Sequence, residues 1–137
     1  MIQRLSHTTV YVLDQDAAKD FYANKLGFEV RMDAKMDNGF RWLTVSPKGQ
    51  PDLQIILMQV DGPNIKPEAA ATIRGLLEQG RLNGGVLQTG DCHKTYEELA
   101  AKGVEFASPP VDRFYGVEAI MKDNSGNWYS LTEPKGA

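Results

Sequence analysis

The chain has 137 residues, 42% hydrophobic and 24% charged, with a net charge of −3: enough for one globular domain with a real core. The acidic balance excludes the basic footprint of a nucleic-acid binder, and no apolar run approaches the roughly 20 residues of a membrane helix. One cysteine, Cys92, excludes an internal disulfide, and MIQRLSHTTV lacks the apolar centre of a signal peptide, so a cytoplasmic protein is expected.

Leu5 to Leu13 reads as a strand, with Thr8, Val10 and Val12 on one face and His7, Thr9, Tyr11 and Leu13 on the other. Asp14 or Asp16 caps a helix near residues 16–25, whose apolar side carries Ala17, Phe21 and Leu26, with Ala18 and Tyr22 beside them. Gly27 ends it. Strands follow at Phe28–Met32, Arg41–Val45 and Leu53–Met58, the last two joined by the turn-rich SPKGQPD. Residues 59–83 break this pattern: a proline-bearing loop, then a linker helix from Pro67 in which Ala69, Ala70, Ile73, Leu76 and Leu77 fall at helical spacing, ending near Gly80.

From Gly84–Gly85 the pattern returns. Val86–Thr89 is a strand, Asp91 the expected cap, Thr95–Lys102 a helix stopped by Gly103, and Val104–Phe106 a strand. SPPVDRFYG reads as a loop. Val117–Lys122 and Asn127–Thr132 then form a hairpin around DNSG. The chain therefore repeats one βαβββ unit. The expected division of a single 1–137 domain is a first module over 1–60, a linker over 61–83 and a second module over 84–137, with a cleft where the modules meet.

The segments FYANKLGFEV at 21–30, RWLTV at 41–45, DLQIIL at 52–57 and DNSGNWYSL at 123–131, with His7 in the first strand, carry a resemblance across nearly the whole chain. It resembles the vicinal oxygen chelate superfamily: glyoxalase I, bleomycin-resistance proteins and extradiol dioxygenases. The resemblance implies an α+β fold in which two βαβββ modules curl into a barrel-like cleft, built in many members as a homodimer. It also implies one divalent ion held by inward side chains from the first and fourth strand of each module. Those positions fall here on His7, Gln54, Gly84 (counted back from Asp91 as His7 stands before Asp14) and Ser130.

Imidazole is a good ligand for zinc, nickel or iron, an amide oxygen a weak one, glycine none and serine a poor one. Glu118 offers a replacement. If the hairpin folds near Asn124, Glu118 faces Ser130 and enters the cleft, and His7, Gln54 and Glu118 form a three-ligand site for zinc, nickel, manganese or iron. Glu118 then doubles as the catalytic base. Arg41, Trp42, Phe114 and Tyr115 are the expected substrate contacts: an aromatic wall and a guanidinium fork for an acidic group. Cys92 and His93 read as structural.

Two functions compete. One is a metal-dependent lyase or isomerase acting on a small molecule with vicinal oxygens. The other is a bleomycin-resistance-type protein that sequesters a small molecule without chemistry. An iron dioxygenase ranks last, because only His7 is suitably placed. Neither a nucleic-acid nor a membrane partner is expected.

Overall fold

The computed structural model describes residues 1–136; Ala137, the expected last residue of the second module, lies outside the described residues. Strand β1 (His7–Val12) leads to helix α1 (Gln15–Asp20), followed by β2 (Glu29–Lys35), β3 (Arg41–Ser46) and β4 (Gln54–Gln59). Helix α2 (Pro67–Glu78) connects to β5 (Asn83–Gln88), α3 (Cys92–Ala101), β6 (Glu105–Arg113), β7 (Gly116–Lys122) and β8 (Trp128–Pro134). The strands make two separate four-stranded sheets, ordered β1-β4-β3-β2 and β5-β8-β7-β6. β1 runs parallel to β4 and β5 parallel to β8; the remaining pairs are antiparallel. The two modules are thus present, but their sheets do not close into a barrel. No helix among the described residues is long and apolar enough to cross a membrane.

Local chemistry sets the element ends. The Asp14 carboxylate accepts from the free N–H groups of Asp16 and Ala17, and that of Asp91 from Lys94. The expected second half of the first helix is instead a π turn over Phe21–Lys25. It widens the helix where Phe21 and Tyr22 enter the core, and Gly27, at φ 73°, makes the reversal into β2. Helix α3 starts at Cys92, one turn before the expected Thr95, as its Asp91 cap requires.

The expected loop SPPVDRFYG is mostly strand. β6 continues through Pro109 and Pro110 because it is the outer strand of its sheet, and its register shifts on either side of Ser108. Proline is tolerated at an edge or a bulge, where no ladder N–H is needed.

The core lies between the sheets and their helices and is continuous through both modules. Val10, Val12, Leu43, Val45, Ile55 and Leu57 meet Ala18, Phe21 and Tyr22 on one side and Leu99, Val104, Met121 and Tyr129 on the other. A buried polar cluster crosses the same boundary. The Tyr22 hydroxyl donates to Asp123 at 2.7 Å and lies 2.8 Å from the Tyr129 hydroxyl. Asn127 donates to Asp123 and to the Tyr11 carbonyl. Burial pushes both phenols well above their usual range, so they stay protonated hydrogen-bond donors.

Candidate functional site

Each sheet turns one face to the helices and the other away from them. On the first sheet, alternation puts His7 on the helix-free face, and the parallel register makes Gln54 its direct partner. The Gln54 side-chain oxygen accepts from the Thr44 hydroxyl at 2.7 Å. The His7 ring lies 5.8 Å from that of Trp42, which lies 6.1 Å from that of Phe40. Arg31 donates to Ser46 at the far end of β3. The result is an aromatic strip beside a short polar row, in which the amide is already committed.

The helix-free face of the second sheet forms a cavity of about 340 Å³ around Val86, Tyr115, Glu118, Trp128, Ser130 and Thr132. Glu118 is at its centre. One carboxylate oxygen accepts from Tyr115 and the other from Ser130, each at 2.5 Å. Ser130 is 2.6 Å from the Thr132 hydroxyl, and Arg113 is 3.8 Å from the carboxylate. The bond from Ser130, then that from Tyr115, holds the Glu118 carboxyl below its usual range. The same carboxylate raises the Tyr115 phenol. The cavity therefore presents an ionised carboxylate among hydroxyls, with Val86 and Trp128 as apolar walls.

His7, Gln54 and Trp42 stand together on the first sheet; Glu118 and Tyr115 stand together on the second. Phe114, at the β6–β7 turn, is 89% exposed and packs edge-on against Tyr115. Arg41 stands apart from both groups. It alternates with Trp42 and so points to the other side of β3, where its fork is taken up by Asp33, at 2.8 and 3.0 Å, and by Asp16 at 2.6 Å. These ion pairs tie β3 to β2 and α1, and two expectations do need correction. The hairpin register sets Glu118 opposite Thr132 and Ile120 opposite Ser130. This two-residue offset preserves the face, so Glu118 still reaches Ser130, diagonally.

The position matching His7 in the second module is Val86, not Gly84, because Val86 is the register partner of Ser130 as His7 is of Gln54. Val86 stands five positions before Asp91 where His7 stands seven before Asp14, so the shorter run to the helix cap shifts the count. Gly84 instead lies against the Tyr129 ring, where a side chain would collide. Val86 was invisible as a site residue in the sequence, since the length of the run from strand to cap leaves no composition signal.

The set for a metal is therefore His7, Gln54, Val86 and Ser130. It offers one imidazole, an amide oxygen already accepting a bond, an alkyl group and a hydroxyl that donates to Glu118. That donor chemistry does not fit a divalent ion. No group of three or more histidine, cysteine, aspartate or glutamate side chains is gathered for one among the described residues.

A family model described as "Glyoxalase/Bleomycin resistance protein/Dioxygenase superfamily" matches residues 4–131. The chain is similar to the crystal structure of UcmS2: 47% identical, covering 97% of this chain and 99% of that one, with a TM-score of 0.93. It is similar also to TnmS3, an antibiotic binding protein from Streptomyces sp. CB03234, at 31% identity, covering 98% of each chain with a TM-score of 0.76. The protein YetH of Bacillus subtilis (strain 168) is 30% identical over 97% of this chain and 100% of its own length.

Proposed function

The chain belongs to the glyoxalase/bleomycin resistance protein/dioxygenase superfamily, and from that premise we propose that it binds a small aromatic molecule and sequesters it without a metal. The observation that carries this reading is the donor set His7, Gln54, Val86 and Ser130, in which Val86 is alkyl, the Gln54 oxygen accepts from Thr44 and the Ser130 hydroxyl donates to Glu118, leaving one imidazole as a good ligand. The likeness to an antibiotic binding protein supports it. The site offers what such a ligand needs: the His7–Trp42–Phe40 rings for stacking, and the Tyr115–Glu118–Ser130 group to fix orientation.

We further propose a cytoplasmic homodimer whose second copy helps enclose the ligand. In the single chain Val86, which lines the second-sheet cavity, is 70% exposed, and Phe114, packed on the lining residue Tyr115, is 89% exposed, an apolar surface that a partner would cover. Light scattering on the purified protein should give twice the chain mass.

The test is a tryptophan-fluorescence titration with a panel of aromatic antibiotics, followed by mass spectrometry of the recovered ligand and elemental analysis of the protein. Binding without metal, with the ligand returned intact, is the expected result. One stoichiometric divalent ion lost in His7→Ala would overturn the metal-free reading and restore the His7, Gln54, Glu118 site. The position of the Glu118 carboxylate at the centre of the cavity favours a second reading, proton transfer on a bound molecule with vicinal oxygens, with this carboxylate as base. Conversion of a bound ligand that disappears in Glu118→Gln would establish that reading instead.

A further inference from the structure

On the helix side of the molecule, away from both faces described above, a cavity of about 260 Å³ opens between the two modules. Leu99, Met121 and Leu131 are buried at its floor, and Leu26, Phe28 and Leu87 leave apolar surface partly open around them. Strand alternation separates it from the first site: Leu87 and Leu131 neighbour Val86 and Ser130 and so point the opposite way. Thr89 and Thr95 line one side and bond each other at 2.7 Å, so their hydroxyls are already answered.

Lys25 and Lys102 stand at the rim, and neither belongs to an ion pair among the described residues. Glu98, one turn before Lys102 on α3, shares the rim and leaves the balance positive. An apolar floor under a net positive mouth fits one chemistry. At about 30 Å³ per water-sized group, the cavity holds roughly nine non-hydrogen atoms.

We propose that this cavity binds a small monocarboxylate with an apolar body, its chain on Leu99, Met121 and Leu131 and its carboxylate between Lys25 and Lys102. Apolar contact supplies the affinity and the ammonium groups select the sign of charge.

The test uses the intact protein labelled at its methionine methyl groups, titrated in the NMR tube with octanoate and, separately, with octylammonium. Met121 lies in the cavity floor, whereas Met58 is in β4 and Met32 in β2. Octanoate should shift the Met121 methyl and leave Met58 unmoved, with about tenfold weaker binding in Lys25→Met/Lys102→Met. Octylammonium should bind far more weakly. An unmoved Met121, a shift at Met58 in its place, unaltered affinity in the double variant, or equal binding of octylammonium would each overturn the proposal.

Discussion

At the scale of single residues, side chains that hold the fold stand one position from side chains that serve the site. Tyr129 fills the space beside Gly84, while its neighbours Trp128 and Ser130 line the second-sheet cavity. Gly84→Ala should therefore cost about 1–3 kcal/mol through overpacking, read as a lower urea midpoint with an unchanged slope. Asp33 gives a pH test. Hydrogen bonds from Arg41 and Lys19 hold its carboxyl far below its ordinary range. A depressed acid contributes stability that is present above the unfolded value of about 3.9 and is lost as pH falls through the folded value. Asp33→Asn should then be less stable than the parent at neutral pH by about 1 kcal/mol, a figure discounted for solvent screening of these partly exposed partners. The gap should close in strong acid; a gap independent of pH would disprove the ionic origin. His7, Gln54 and Glu118 were legible on the helix-free faces because strand alternation reports sidedness. Arg41 has the opposite strand parity to Trp42, which turns it toward α1 and the carboxylates of Asp33 and Asp16.

At the scale of elements, punctuation was easier to read than extent. The Asp14 and Asp91 caps and the Gly27 stop follow from side-chain chemistry within a few residues, and all three are where the sequence put them. The length of β6 was hidden, since whether Pro109 and Pro110 end a strand depends on whether it has a neighbour on both sides. The π turn at Phe21–Lys25 was equally hidden, because it answers to the core that receives Phe21 and Tyr22. The two caps belong to different modules and share no hydrogen-bond partner. Asp14→Ala and Asp91→Ala should each cost about 1 kcal/mol, and chemical denaturation of the double variant should return their sum.

At the scale of the whole molecule, the repeat was legible but the joint between its copies was not. Tyr22 and Tyr129 meet across 107 positions of sequence, a distance over which no local pattern operates. Because one core and one buried hydrogen-bond cluster run through both modules, the chain should unfold as a unit. Calorimetry should show a single transition with equal calorimetric and van't Hoff enthalpies; two resolved transitions would mean that each module stands alone. Tyr22→Phe removes a donor from the buried Asp123 and should lower stability by about 1–3 kcal/mol, still in one transition.

The strand order β1-β4-β3-β2 has a consequence for how the chain is made. Among the described residues β1 has its one sheet partner in β4, the last strand of its module, so β1 stays unpaired until Gln54–Gln59 has emerged from the ribosome. Its companions β2 and β3 can zip together much earlier, being adjacent in sequence. The second module imposes the same wait on β5, for β8. With synthesis at about 5–20 residues per second, each exposed edge persists for seconds. The polar alternation of His7, Thr9 and Tyr11 along β1 keeps that waiting edge from being a wholly apolar ribbon.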